Sequence, residues 1–326
     1  MTSQTRSNWT PAEVAELYGQ PLMDLLHQAH TLHRTHHDPS KVQVSALLSI
    51  KTGGCPEDCG YCPQSAHHDA GVESEPLMEV DDVVRAATRA KAGGATRFCM
   101  GAAWRSARSG PQFDQVLEMV RRVDALGMET CVTLGMLEPG QARQLKEAGL
   151  HAYNHNLDTS EKFYNQIIST RTYQDRLDTI QHVRDAGITV CTGGIIGMGE
   201  SDQDRVELLH RLATLEPHPE SVTINGLIPV PGTPLGGQTP ADPLALTRVI
   251  ATARLLMPAS LVRLSAGRSN LSPEAHLLCF YAGANSIFAG DRLLTAPNPG
   301  PGKDDALLKS LGMSAQTLEG AESSHG

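Results

Sequence analysis

The sequence lacks a long apolar run. None of its stretches approaches the ~18 consecutive apolar residues that a membrane-spanning helix needs. Its first ten residues, MTSQTRSNWT, are polar, so they also lack the apolar centre of a signal peptide. These two absences lead us to expect a soluble, cytoplasmic protein with no membrane partner.

The chain also lacks an excess of basic residues. It holds 27 Lys and Arg against 36 Asp and Glu, which gives a formal net charge of −9. A general nucleic-acid binder needs a basic face to meet the phosphate backbone. The composition therefore argues against nucleic acid as a partner.

A fourth cysteine is missing at the point where three others cluster. The stretch GGCPEDCGYCPQS (53–65) holds Cys55, Cys59 and Cys62 with the spacing C-x₃-C-x₂-C. The chain has seven cysteines in all. In a cytoplasmic protein, such cysteines are more typical of metal ligands, catalytic groups or buried apolar residues than of disulfides.

Three interpretations fit this cysteine group. The thiols are buried core residues, or they hold a structural zinc ion, whose fourth ligand would come from His67, His68 or a distant cysteine. Alternatively, they bind an iron–sulfur cluster and leave one iron without a protein ligand. That open iron could take a substrate or a cofactor, so the missing fourth cysteine would be a requirement of the chemistry.

A repeated unit of helix, glycine and strand organises the chain. Glycine is the usual left-handed residue just after a helix. The unit recurs four times, at 90–102, 124–135, 146–158 and 184–197. Four further strand candidates complete a series of eight: 42–50, 221–230, 261–267 and 284–290. Eight strands separated by helical segments predict an α/β fold with a closed (β/α)₈ TIM-type barrel, and the alternative is an open doubly wound sheet.

The composition does not change within residues 40–295, so no domain boundary is predicted there. We predict an N-terminal helical extension over 1–39, one barrel over 40–313 and a disordered C-terminal tail over 314–326. The cysteine group follows the first strand, at the end of the barrel where such folds carry their active sites.

Polar residues recur at matching points of the predicted strands. Four of them lie four or five residues after the glycine of their unit: Cys99, Cys131, Asn154 and Cys191. If these side chains face the lumen, they converge inside one barrel.

Further polar residues extend this set. Side chains alternate between the faces of a strand, so Asn156 and Asp158 share the face of Asn154. Asn225 lies in the sixth strand and Arg263 in the seventh. Because such groups fill an apolar core poorly, the pattern predicts a bound cofactor and a polar substrate in the lumen.

The C-x₃-C-x₂-C motif, with Tyr61 before its last cysteine, resembles the signature of the radical S-adenosylmethionine (SAM) enzymes. The resemblance implies a [4Fe–4S] cluster on Cys55, Cys59 and Cys62, and it places Tyr61 among the cofactor-binding residues. In that family the open iron chelates the amino and carboxylate groups of S-adenosyl-L-methionine. Electron transfer then cleaves the sulfonium and yields a 5′-deoxyadenosyl radical.

The wider context resembles the biotin synthase family. The matching stretches run in order over roughly residues 40 to 300, and they include KTGGCPEDCGYCPQS, RFCMGAAWR, YNHNLDTS, VCTGGIIGMGE, INGLIPVPGTPL and AGANSIFAGDRLLTAPNP. The resemblance implies a radical SAM sulfurtransferase that converts dethiobiotin to biotin, the last step of biotin biosynthesis. It also implies a homodimer and an electron donor such as flavodoxin or ferredoxin.

The same resemblance assigns roles to the lumen residues. It implies a [2Fe–2S] cluster on four of them: Cys99, Cys131, Cys191 and Arg263. Asn154 and Asn225 would contact the ureido ring of the substrate, since an amide complements both its N–H and C=O groups. Asn156 and Asp158 would hold the ribose hydroxyls of SAM. In LLTAPNP (293–299), Thr295 is the candidate for the substrate carboxylate.

Simpler interpretations of these residues stay open. The lumen cysteines could be small filling residues, and the asparagines could be turn formers at strand ends. Arg263 could form a salt bridge with a lumen acid such as Asp158, or act as a counter-charge to the cluster. Cys279 lies in a helix after Ser272 and is predicted to pack there. At the level of function, the alternatives are a radical enzyme with another substrate and a zinc-binding interaction module.

Overall fold

The computed structural model describes residues 6–290 and 292–317. Eight parallel strands form its centre: β1 (Lys41–Lys51), β2 (Arg97–Ala102), β3 (Glu129–Thr133), β4 (Ala152–Asn154), β5 (Thr189–Ile196), β6 (Ser221–Gly226), β7 (Leu261–Leu264) and β8 (Ser286–Ala289). All eight predicted strands are therefore present. Their order in the sheet follows the chain, as expected for consecutive βα units.

The sheet closes on itself. β1 pairs with β8 in parallel, with Gln43 opposite Ser286 and Ala46 opposite Ala289. The predicted (β/α)₈ barrel is confirmed, and the open doubly wound sheet is wrong.

Helices surround the barrel and bury apolar side chains against its outer face. They are α1 (Pro11–Tyr18), α2 (Leu22–His36), α3 (Val80–Ala92), α4 (Pro111–Asp124), α5 (Pro139–Glu147), α6 (Glu161–Tyr164), α7 (Tyr173–Asp185), α8 (Asp202–Ala213), α9 (Pro243–Leu256), α10 (Pro273–Tyr281) and α11 (Pro301–Ser310). Apolar residues on the helices and on the outward faces of the strands form the main core. The polar residues of the strands are thereby left to the lumen.

The N-terminal helices α1 and α2 confirm the predicted helical extension. Pro11 begins α1, and the Thr10 and Glu13 side chains cap it reciprocally. α2 packs against α9 on the outside of the barrel. No helix within the described residues is long and apolar enough to cross a membrane.

The C-terminal segment differs from the predicted tail over 314–326. Ser314–Ala315 form a short strand that pairs in parallel with the start of β1, since their backbone meets Lys41 and Val42 in register. The backbone N–H of Gln316 extends this pairing to the Val42 carbonyl at 2.8 Å. The rest of the predicted tail, 318–326, lies outside the described residues.

Candidate active site

A cavity of about 300 Å³ occupies the barrel lumen toward the carboxyl ends of the strands. The cysteine loop after β1, the lumen faces of the strands and a short hairpin, Arg292–Leu293 paired with Ala296–Pro297, all contribute to its wall. Eleven of the thirteen predicted site residues line it: Cys55, Cys59, Tyr61, Cys62, Cys99, Cys131, Asn154, Asn156, Asp158, Asn225 and Arg263.

Two predicted residues, Cys191 and Thr295, are not among the described residues that line the cavity. Cys191 is fully buried in β5, and its Sγ lies 3.7 Å from Nη1 of Arg263, which lines the cavity. Thr295 is half-buried in the hairpin, whereas its neighbours Leu294 and Ala296 reach the cavity.

The cysteine loop brings three thiols to one side of the cavity. It starts where β1 ends at Lys51, so the strand fixes its position. Burial raises the pKa of Cys59 to about 11 and that of Cys62 to about 12, and it also raises the pKa of Cys55. These thiols are therefore neutral as free groups, and a bound metal would have to displace their protons.

The two histidines that follow the loop contact its backbone. Nε2 of His67 lies 3.1 Å from the Pro56 carbonyl oxygen, and Nε2 of His68 lies 3.0 Å from the Cys59 carbonyl oxygen. Both rings therefore brace the backbone of the loop. Within residues 6–290 and 292–317, no group of three His, Cys, Asp or Glu side chains is placed to hold a single metal ion.

The lumen cysteines lie deeper than the loop. Cys99 of β2 faces Cys131 of β3 in register. The Cys131 thiol and the guanidinium groups of Arg263 and Arg97 lower the pKa of Cys99, although its burial opposes them. This pair therefore favours one thiolate beside a second, neutral thiol.

The strand stagger changes the predicted ring of polar residues. Cys131 faces Ala152 in register, and Asn154 instead faces Cys191. Asn154 thus lies two residues nearer the carboxyl end than a level ring would place it, because the strands of a barrel are staggered along its axis. Asn154 consequently lies beyond the level of Cys99 and Cys131 and directly opposite Cys191.

Arg263 is fully buried among neutral partners. Its Nε donates to Oγ of Ser286 at 2.9 Å, and its Nη2 donates to Oε1 of Gln43 at 3.1 Å and to Oγ of Ser45 at 3.2 Å. The guanidinium also lies 4.7 Å above the Phe288 ring. These contacts leave its Nη1 directed at Cys191.

Asp158 pairs with another arginine, so the predicted alternative of a salt bridge between Arg263 and Asp158 is wrong. Its carboxylate accepts a hydrogen bond from Nη2 of Arg176, and both side chains are buried. The backbone of Asp158 has a φ of 68°, which aspartate tolerates better than most residues. A Cβ at Gly194 would overlap the Asp158 carbonyl oxygen, so glycine is required at that point of β5.

The three asparagines differ in the hydrogen bonds that they still have free. The Asn225 amide donates to the Gly194 carbonyl at 3.0 Å and accepts from the Ala266 N–H at 3.1 Å. Oδ1 of Asn156 accepts from Thr223 at 2.7 Å. Asn154 donates to Thr133 at 3.1 Å, and its buried Oδ1 has no partner among the described residues.

Other buried polar atoms around the cavity are also unsatisfied. In the part of the chain that the structure describes, hydrogen-bond partners are absent for Oε1 of Glu57, Nε2 of His155 and Nε of Arg171, all of which belong to lining residues. Buried polar groups are normally hydrogen-bonded. This concentration of unsatisfied atoms, with six thiols in or beside one space, fits a cavity that takes a polar ligand and iron–sulfur groups.

The lining residues that were not predicted from the sequence include His155, Arg171 and Arg176. His155 lies between two predicted residues, but strand alternation placed it on the opposite face. β4 ends at Asn154, so the alternation no longer applies there. Arg176 lies in the first turn of α7, where a positive charge is unfavourable for the helix dipole, and this position could have revealed it.

Two family models match consecutive parts of the chain. That of the radical SAM superfamily matches residues 49–212, and that of the Biotin and Thiamin Synthesis associated domain matches 223–314. The second match starts within β6, so both segments build one closed barrel.

Solved structures show the same fold. The chain superimposes on methylornithine synthase with a TM-score of 0.80 and 17% identity, over 97% of this chain and 96% of that one. It superimposes on the FeFe-hydrogenase maturase from Carboxydothermus hydrogenoformans with a TM-score of 0.79 and 14% identity, over 96% of this chain and 77% of that one.

Curated relatives are much more similar in sequence. The biotin synthase of Thioalkalivibrio sulfidiphilus is 60% identical over 95% of this chain and 91% of the relative. That of Alkalilimnicola ehrlichii is 62% identical over 96% of this chain and 94% of the relative. At this identity and coverage, the chain belongs to the biotin synthase family of the radical SAM superfamily.

Proposed function

We propose that this protein converts dethiobiotin to biotin by inserting sulfur between two unactivated carbon atoms. One observation carries the proposal beyond family membership. The thiols of the cysteine loop and the deeper group of Cys99, Cys131 and Arg263 line the same cavity. A substrate between them would meet both groups at once.

The cysteine loop would hold a [4Fe–4S] cluster through Cys55, Cys59 and Cys62, with SAM on the open iron. The deeper group, together with the buried Cys191, would hold a [2Fe–2S] cluster, so its four ligands would be Cys99, Cys131, Cys191 and Arg263. When bound, these groups would supply a 5′-deoxyadenosyl radical and the sulfur atom. Such chemistry is needed because the C–H bonds of the substrate have no acidic proton for a general base to remove.

The chain's own residues would orient the substrate and the cofactor. The free Oδ1 of Asn154 is placed to accept an N–H of the ureido ring, whereas Asn225 is held against β5 by the bonds that it already makes. Asn156 and Asp158 would bind the ribose of SAM beside Tyr61. Arg176 fixes the position of the Asp158 carboxylate, since the two side chains are paired and buried.

The hairpin above the cavity would shield the reaction from water and side reactions. Leu293 and Leu294 line the cavity from this hairpin. We keep Thr295 as the candidate for the substrate carboxylate, because its neighbours on both sides already reach the cavity.

The remaining features of the function are proposed from the family alone. They are a homodimer, a cytoplasmic location and an electron donor such as flavodoxin or ferredoxin. We also propose that residues 40–313 act as one barrel domain and that 1–39 act as its extension.

The test is product formation by the reconstituted protein. Rebuild the clusters anaerobically, add a reductant, dethiobiotin and SAM, and measure biotin and 5′-deoxyadenosine. We expect both products, with two SAM molecules consumed per biotin because two C–H bonds are replaced. Cys59→Ala should abolish SAM cleavage.

The other outcomes separate the alternatives. Formation of 5′-deoxyadenosine without biotin would indicate a radical enzyme with another substrate. A reconstituted protein without visible absorption would indicate a zinc-binding module. SAM cleavage by Cys59→Ala at the parent rate would show that the cluster assignment is wrong.

A further inference from the structure

A second loop lies along the cysteine loop. It comprises residues 165–171, between α6 and α7. The Asp58 carboxylate accepts from the backbone N–H of Ser169 at 2.9 Å and of Thr170 at 3.2 Å, and it also accepts from both hydroxyl groups. The cysteine loop therefore fixes the position of the 165–171 loop.

Two more contacts reinforce this docking. The backbone N–H of Gly60 donates to the Ile167 carbonyl at 2.9 Å. The hydroxyl of Thr170 also reaches the Glu57 carboxylate. The two loops thus form one rigid unit around the thiols.

The 165–171 loop ends by directing Arg171 at a thiol. The Arg171 side chain is 7% exposed, and its Nη2 lies 3.6 Å from Sγ of Cys59. Its nearest carboxylate oxygen is Oε2 of Glu57 at 4.0 Å, too far for a hydrogen bond. A buried guanidinium whose nearest carboxylate is too far away to accept a hydrogen bond is only partly compensated. A thiolate at Cys59 that binds iron would supply a closer counter-charge.

We propose that Arg171 positions the Cys59 thiolate and raises the reduction potential of the cluster on the cysteine loop. This inference rests on the proposed function, which assigns a [4Fe–4S] cluster to Cys55, Cys59 and Cys62. Reduction adds one electron, so the reduced cluster carries more negative charge. A fixed guanidinium and its N–H···S contact favour that state, since net charge and hydrogen bonds to sulfur set cluster potentials.

Arg105 offers a matched control. Its Nε lies 3.6 Å from Oε1 of Glu57, so it is next to the same loop, but its side chain is 40% exposed. Water and salt screen an exposed charge of this kind. Arg105→Gln therefore removes the same charge without the contact to Cys59.

The experiment is an anaerobic redox titration of reconstituted protein with dithionite, followed by the EPR signal of the reduced [4Fe–4S] cluster. For Arg171→Gln we expect about a tenfold fall in the ratio of reduced to oxidised cluster at a fixed potential. For a one-electron couple, this fall corresponds to a midpoint potential lower by about 59 mV. Arg171→Lys should recover part of the shift, and Arg105→Gln should match the parent. A parent-like midpoint in Arg171→Gln, or an equal fall in Arg105→Gln, would overturn the inference.

A further variant is measured in case Arg171→Gln does not bind the [4Fe–4S] cluster. If Arg171→Gln binds no cluster, Thr170→Val carries the measurement, because it changes no charge but removes the hydroxyl that ties the loop of Arg171 to Asp58 and Glu57. A lower midpoint in Thr170→Val supports the inference, and a parent-like midpoint overturns it. If the parent itself shows no [4Fe–4S] signal after reconstitution, the proposed function fails instead, so the two failures are distinguishable.

Discussion

At the scale of single residues, Arg263 differs from every other proposed iron ligand. A guanidinium is normally protonated and has no lone pair to offer, so it must lose a proton to bind iron. The charge of the metal would have to offset that cost. Three neutral partners, Gln43, Ser45 and Ser286, already hold Arg263 in place. It is therefore a weaker anchor than a cysteine thiolate.

We predict an asymmetry between two variants. Cys191→Ala should lose both the [2Fe–2S] cluster and biotin formation, because it removes a thiolate. Arg263→Met should still assemble the cluster and retain some product. Ser286 also donates to Gln43 at 3.0 Å, so we expect the lumen to keep part of its network without the arginine. Iron, sulfide and biotin are measured in both variants and in the parent.

The reverse order would contradict this ranking. If Arg263→Met cannot hold the second cluster while Cys191→Ala can, Arg263 is the stronger ligand.

The sequence could predict the site residues that lie on strands or in a motif, but not those placed by loops. Cys99, Cys131 and Arg263 line the cavity as predicted, since strand alternation fixes the direction of their side chains. Arg171 reaches it only because Asp58, more than 100 residues earlier in the chain, holds its loop in place. Contacts between loops that are far apart in the chain produce no periodic pattern in the sequence.

At the scale of elements, α11 is tied to the end of β8. Arg268 donates to both carboxylate oxygens of Asp304, at 2.7 and 2.5 Å, and to the Phe288 carbonyl at 2.7 Å. The Asn298 amide donates to the same carbonyl at 3.0 Å. Phe288 lines the cavity, so this network links the C-terminal helix to the wall of the site.

We predict that Asp304→Ala lowers the free energy of unfolding by about 3–5 kcal/mol, because it leaves a buried guanidinium without its carboxylate. Urea unfolding measures the loss. The neighbouring Asp305 is exposed, so Asp305→Ala should stay within about 0.5 kcal/mol of the parent. Equal stabilities for the two variants would show that the ion pair contributes nothing.

The main elements were predictable and the smallest ones were not. Helical spacing, capping glycines and β-branched runs located all eight barrel strands. The two-residue strands Arg292–Leu293, Ala296–Pro297 and Ser314–Ala315 are too short to show an alternation. Tertiary pairing alone creates them, which is why the predicted tail began too early.

At the scale of the whole molecule, the N-terminal extension is docked through a buried basic cluster. His33 of α2 is 2% exposed. Burial, and then the positive charge of Arg254, lower its pKa to about 2. Three further groups face it and act in the same direction: His37, His30 and Arg34. The fold therefore keeps the His33 ring neutral.

We predict that the free energy of unfolding decreases as pH falls. The unfolded chain takes up a proton on His33 near its usual pKa of 6.5, and the folded chain does not. The contribution of His33 to the free energy of unfolding is therefore complete above pH 6.5. It is lost as the pH falls toward the pKa of about 2 in the folded chain, at about 1.4 kcal/mol per pH unit for this one group. His33→Phe should remove this part of the slope.

Urea unfolding at a series of pH values between neutral and mildly acidic checks this prediction. His27 lies on the exposed side of the same helix, so His27→Phe is the control and should keep the slope of the parent. A parent-like slope in His33→Phe would show that the neutral ring is not the cause.

Closure of the barrel between β1 and β8 has a consequence for how the protein is made. The ribosome releases the cysteine loop soon after β1, but β8, which completes the lumen, emerges more than 200 residues later. A closed parallel barrel depends on contacts between the two ends of the chain, and these form last. During synthesis the six thiols of the site are therefore open to oxidants and to iron carriers alike. The growing chain passes through a period in which metal delivery and oxidative damage compete for the same sulfur atoms.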